Sequence, residues 1–216
     1  MPSQPKAPAG VSEFAFVDGV AAPRKQPTQG RSKHTVAAIL EATIRVLDEV
    51  GGEALTTTRV AEVASVSVGT LYQYFPNRDA LINALLADHL EAAVGAVERE
   101  AAACAELPRE VAVERVVRAF LAAKATRAAA SRIMNKAFGV GMLDDRPLVQ
   151  AAARRAHVAV ARLVAHGEPD DETLARARLG CDALEGMVRG ALAGDPALLG
   201  DPAWVDQVVR IALAAL

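Results

Sequence analysis

Aromatic residues are scarce in this chain: one Trp, two Tyr and five Phe in 216 residues. With 52% of the chain hydrophobic, the interior has to be built from Ala, Val and Leu, and the abundance of Ala and the shortness of β-branched runs suit closely packed helices. Cysteine is rarer still. Cys104 and Cys181 are far apart and belong to no paired motif, which excludes a disulfide framework and a cysteine zinc site. The four histidines (His34, His89, His157, His166) form neither an H-E-x-x-H nor a Glu-x-x-His pair, so zinc-protease and di-iron bundle chemistry have no carrier. Nucleophile elbow, P-loop and G-x-G-x-x-G are all missing. We therefore expect no enzyme, metal or cofactor. No apolar run approaches the ~20 residues of a membrane span, and the N-terminus lacks the apolar core of a signal peptide. A cytoplasmic chain with no membrane partner is expected.

Positive charge is also in short supply, with a formal net charge of −2. That argues against a nonspecific nucleic-acid coat, but the charge is unevenly spread. Between Pro23 and Arg45 there are five basic residues (Arg24, Lys25, Arg31, Lys33, Arg45) against the single acid Glu41, a net of +4. A local basic arm of this kind can neutralise a few phosphates while the remainder stays acidic.

Residues 1–30 carry many Pro, Gln, Gly and Ala residues without helical periodicity, and read as a disordered arm with one apolar patch at Glu13–Val20. From Ser32 a helical stripe begins: Val36, Ile39, Leu40, Thr43, Leu47 and Val50, ended by Gly51-Gly52. A further stripe follows at Leu81, Leu85, Leu86 and Leu90. Leu107-Pro108, Phe138–Pro147, His166–Asp170 and Gly194–Pro202 then separate four or five more helices. No segment alternates as a strand does. The fold class is all-α.

The densest information lies between Thr56 and Leu81. Three of the eight aromatics (Tyr72, Tyr74, Phe75) fall within four positions here. The stretch parses as a short helix (Thr58–Ala64), a tight turn (Ser65–Val66), a second short helix (Ser67–Tyr74) and a new helix capped by Asn77. Two short helices at a sharp turn form a helix-turn-helix, whose second helix can enter a DNA major groove. In that helix Val66, Thr70 and Leu71 should face Val60, Ala61 and Ala64, while Ser67, Val68, Gly69, Tyr72 and Gln73 should point outward. Tyr72 and Tyr74, two apart, cannot both face inward. Gln73 is built for a bidentate contact to adenine, and Val68 can pack on a thymine methyl. Thr57, Thr58, Ser67, Lys33 and Arg78 are phosphate-contact candidates.

The segment AILEATIRVLDEVG followed by LTTTRVAEVASVSVGTLYQYFPNRDALINALL resembles the DNA-binding domain of the tetracycline-repressor (TetR) family of bacterial regulators. The match spans roughly residues 31–90, and its T-L-Y-x-Y-F-P-x-[KR]-[DE]-x-L core is far more specific than a generic helix-turn-helix. One departure is Ser65, where that family usually has Gly in the turn. Positive φ costs a non-Gly residue about 1–2 kcal/mol. The resemblance implies DNA-backbone contacts from Tyr72 and Tyr74, with Val68, Gly69, Thr70 and Gln73 nearest the groove floor. It also implies three parts: the arm at 1–30, a DNA-binding domain at 31–78, and a ligand-binding and dimerisation domain at 79–216.

Within the last part, Leu174, Ala177, Cys181, Leu184 and Val188 form a narrow 3-4 seam suited to another helix, and Val205, Val208, Val209 and Ala212 line one face of the final helix. In the resembled family such helices make a four-helix dimer interface; the alternative is that these faces are internal core. Gly180, Gly186 and Gly190 each cost about 1 kcal/mol in helix propensity, which close helix approach would explain. For a small-molecule effector, the candidates are Phe120, Lys124, Met134, Phe138, His157 and Met187, with Met142 and Glu185 nearby. The expectation is a homodimeric regulator of double-stranded operator DNA, a repressor released by an unidentified ligand. Its alternatives are a dimeric regulator without a ligand, and a helical enzyme or partner-binding module.

Overall fold

The computed structural model describes residues 30–139, 144 and 146–216. Among these residues the regular elements are all helical: α1 (Gly30–Val50), α2 (Thr57–Val63), α3 (Val68–Tyr74), α4 (Arg78–Ala103), α5 (Arg109–Thr126), α6 (Ala128–Phe138), α7 (Pro147–Ala165), α8 (Asp171–Gly194) and α9 (Pro202–Ala215), with a 3-10 turn at Pro196–Gly200. The arm with its Arg24 and Lys25, the Arg31 side chain and Met142 lie outside the described residues.

The chain divides inside α4, one unit ending at Asp88 and the next starting at His89. The sequence had suggested a boundary at 78/79. The first turns of α4 belong to the head because they bury Ala80, Leu81, Ile82 and Leu85, and because the Arg78 guanidinium donates to the Gly52 carbonyl. By length and composition α4 could cross a membrane, yet 67% of its most apolar window is buried inside the protein.

In the head, Val36, Ile39, Leu40 and Leu47 of the expected α1 stripe are buried, and Thr43 joins them by donating its hydroxyl to the Ile39 carbonyl at 2.8 Å. Val50 is exposed instead, since it sits on the last turn, where the chain leaves the helix through Gly51 at φ +77°. The Asn77 side chain caps α4 by accepting from the Ala80 amide at 2.8 Å. Ser65 does sit at positive φ, 55°.

The second unit is an aliphatic core of α5, α7, α8, α9 and the end of α4. Its helix boundaries follow the breakers, with one addition. Arg127 interrupts the helix between α5 and α6 at φ −112°, ψ 16°, where neither Gly nor Pro marks the break. The seam on α8 and α9 needs correction. Ala177, Val188, Val208, Val209 and Ala212 are buried within this chain, and Leu174, Cys181, Leu184 and Val205 pack against the same core. The 3-4 spacing therefore identified internal core, because any helix face buried against helices of its own chain shows the same period. The glycines split accordingly. A Cβ on Gly180 would meet the Leu216 side chain at 2.9 Å, a close approach of α8 to the chain's end, whereas Gly186 and Gly190 face open space.

Candidate nucleic-acid interface and ligand cavity

Short helices are marginal alone, so α2 and α3 depend on caps and on burial. Thr56 caps α2 by accepting from the Arg59 amide at 3.2 Å, and Ser67 caps α3 by accepting from the Thr70 amide at 2.9 Å. Leu71 of α3 and Val60 and Ala61 of α2 form the buried seam between them. Val66, Ala64 and Thr70 are half-buried at its edge. That packing turns Val68, Gly69, Tyr72 and Gln73 outward as one continuous face, beside the exposed Ser67 and Thr58.

Hydroxyls are organised in pairs on this face. The Tyr72 hydroxyl lies 3.0 Å from Thr57 Oγ1, tying the reading helix to the first turn of α2, and Ser67 Oγ lies 2.8 Å from Thr70 Oγ1. Arg59 is exposed but spends its charge on Glu62 and Glu49.

Two expected backbone contacts are corrected. Tyr74 is only 9% exposed whereas Tyr72 is 43% exposed, so the ring of Tyr74 belongs to the head's core and Tyr72 is the outward tyrosine. Arg78 is half-buried with its guanidinium on Gly52; it ties α4 to the end of α1 instead of reaching outward. Lys33 is half-buried on the first turns of α1.

The second unit holds a half-open cavity of about 910 Å³, within the range of organic-ligand sites. Its walls are aliphatic: Val94 and Val97 of α4, Val113, Val116 and Val117 of α5. Of the six expected ligand residues, Phe120, Lys124 and His157 line it. Met134 is buried elsewhere, Met187 packs on the core, and Phe138 is half-buried at the end of α6; none of these reaches the cavity. A helical stripe shows that a residue is inside but not on which side of a core it sits, hence the mixed outcome.

Charges gather at the cavity's polar end. Lys124, 6% exposed, bonds to Glu185 at 2.9 and 3.0 Å and stands 5.3 Å over the Phe120 ring. Glu185 is also 3.6 Å from Arg189, which forms a forked pair with Asp144 at 2.6 and 2.9 Å. His157 lies 3.2 Å from Asp182; burial outweighs that carboxylate and lowers its pKa. Burial likewise pushes the Cys181 thiol up to about 12. Sequence reasoning missed Arg178, Asp182, Arg189 and Asp144; the i,i+4 pairs Arg178–Asp182 and Glu185–Arg189 were the available signal.

A helix-turn-helix head joined to a helical unit defines a class, the helix-turn-helix DNA-binding proteins. The comparisons specify the family. Residues 39–85 match the family model of bacterial regulatory proteins of the tetR family. The HTH-type transcriptional regulator BetI of Burkholderia mallei is 30% identical over 181 residues, 79% of this chain and 88% of the relative. The HTH-type transcriptional repressor KstR of Rhodococcus jostii is 32% identical over 127 residues, 50% of this chain and 60% of that one. A TetR-family transcriptional regulator from Streptomyces coelicolor superposes with TM-score 0.61 at 25% identity, covering 84% of this chain and 95% of that one. The chain belongs to the tetR family, and it is a DNA-binding transcriptional regulator.

Proposed function

We propose that this regulator is a cytoplasmic repressor that binds a pseudo-palindromic operator as a homodimer and is released by a small molecule in the second unit. The observation that carries this reading is the pairing of an outward α3 face with a ligand-sized cavity in a separate unit. Gln73 and Val68 supply base contacts. Tyr72, Thr57, Thr58, Ser67 and Lys33 supply phosphate contacts, which position without specifying. Gly69 supports the same reading: a Cβ there would meet only Ser67 Oγ, at 3.8 Å, so the fold itself gains nothing from a glycine that weakens the helix. A bare position suits close approach to the groove.

The dimer face moves to the other side of the last two helices. Leu179 is 68% exposed and Ile211 is also exposed. On α8, Ala175, Leu179, Gly190 and Ala193 form one exposed stripe of mostly small residues. Among the described residues nothing occupies the space above Gly190, which suits a second copy's helix across a two-fold axis. Two heads so joined would read half-sites ~34–36 Å apart. The test is selection of duplexes from a random pool by the purified protein, followed by gel-shift titration. Recovery of no two-fold-symmetric site would end the operator reading, and binding that stays unchanged across a metabolite panel would end release by a ligand.

A further inference from the structure

We propose that the cavity takes an amphipathic organic anion, an aliphatic body ending in a carboxylate that bonds to Lys124; this rests on reading the second unit as the effector-binding part of the regulator. Among the described residues the lining holds four cations, Lys124, Arg154, Arg178 and Arg189, against three acids, Asp144, Asp182 and Glu185. Every acid is already met. Asp144 is forked by Arg189, Asp182 has His157 at 3.2 Å and Arg178 at 3.7 Å, and Glu185 has Lys124. Arg154 has no ion pair among the described residues. An entering anion completes this balance, whereas an entering cation would have to displace one already in place.

Lys124 is the group best placed to receive it. Its ammonium is the most deeply buried charge on the lining and carries three donors, of which the two Glu185 oxygens engage at most two. An additional carboxylate would also free Glu185 to close the 3.6 Å gap to Arg189. The aliphatic walls fit a hydrocarbon body, and among the described residues Gln150 is the only side-chain amide on the lining, so a polyhydroxylated neutral ligand would leave most of its groups unpaired. A quaternary ammonium prefers an open aromatic face. Among the described residues Phe120 is the only aromatic on the lining, and Lys124 already stands over it.

The test is calorimetric titration of the full chain with octanoate, decanoate and dodecanoate below their micellar concentrations. The alcohols and trimethylammonium salts of matching length serve as controls. The carboxylates should bind at least about tenfold more tightly than either control, and Lys124→Met should remove that advantage while leaving alcohol binding unchanged. Should Lys124→Met misfold, Lys124→Met with Glu185→Gln removes both members of the pair, and Arg154→Ala on the exposed rim should still weaken carboxylates a few-fold. Equal binding of alcohols or ammonium salts, no binding of any carboxylate, or carboxylate binding indifferent to both Lys124 and Arg154 would overturn the proposal. Gel shifts run in parallel keep the two ideas apart. Lys124-dependent carboxylate binding that leaves the operator complex intact supports the ligand class and refutes release. Operator binding without any carboxylate binding refutes the ligand class alone.

Discussion

The head and the body place their polar groups in opposite directions. In the head, Ser67, Thr58, Tyr72 and Gln73 lie on the outside of short capped helices, within sixteen positions of one another. In the body, Lys124, His157 and Glu185 turn toward an aliphatic cavity from three helices spread over 62 positions. A convex face for a polyanion can be built from one local motif, because the partner supplies the complementary shape. A concave site needs walls from elements distant in sequence, and the charges within it must satisfy one another while the cavity is empty.

The largest expected effect tests which side of α8 faces a partner. Leu179→Glu should leave a folded helical monomer that has lost specific operator binding by roughly 10²–10⁴-fold, the gain that linking two heads provides. Val188→Glu, on the buried side, should instead unfold the second unit, because it buries an unpaired charge. Sedimentation and circular dichroism separate the two; a folded monomeric Val188→Glu would restore the seam to the interface.

A smaller change probes the head. Gln73→Ala should cost about 1–3 kcal/mol at each half-site and relax preference at one symmetric pair of bases. Tyr72→Phe should weaken all duplexes alike, since it removes a hydroxyl that Thr57 orients but no base contact. Competition gel shifts with permuted operators measure both, and a changed base preference in Tyr72→Phe would reverse the assignment.

Acid should tell the units apart at about 2 kcal/mol. His89 is buried beside Lys124 and Arg127, and burial first, then those cations, pushes its pKa down to about 3. The unfolded chain therefore binds a proton that the folded body refuses. Stability is full above the ordinary value of about 6.5 and falls by roughly 1.4 kcal/mol per unit as pH drops from there toward 3. Ser131 Oγ lies 3.0 Å from its Nε2, so His89→Gln keeps a polar partner while removing the titration. Its melting temperature should depend less on pH between 7 and 5 than that of the parent chain; parallel curves would reject His89 as the source.

The smallest effect belongs to the turn. Ser65→Gly should raise stability by a few tenths to ~1 kcal/mol, relief of strain at φ 55° exceeding the added unfolded-state entropy. A lower melting temperature would mean that the Ser65 side chain contributes more than its backbone costs.

The all-α class, the helix-turn-helix, the Asn77 cap and the outward Tyr72 and Gln73 were legible in the residues, and the family resemblance pointed to the strained Ser65, because caps, turns and helix faces depend on neighbours within a few positions. What lay beyond that range was decided by packing. Tertiary structure turned Tyr74 and Arg78 inward, sent the Leu174–Val188 seam to the core, left Gly190 facing outward and set Gly186 on the cavity lining. It also chose Phe120, Lys124 and His157 over Met134, Phe138 and Met187 for the cavity. A stripe of period 3.6 states that a helix face is buried, but it is silent on whether the neighbour is another helix of the same chain, a second copy or an empty space. Only the positions of all the helices together settle which one a residue meets.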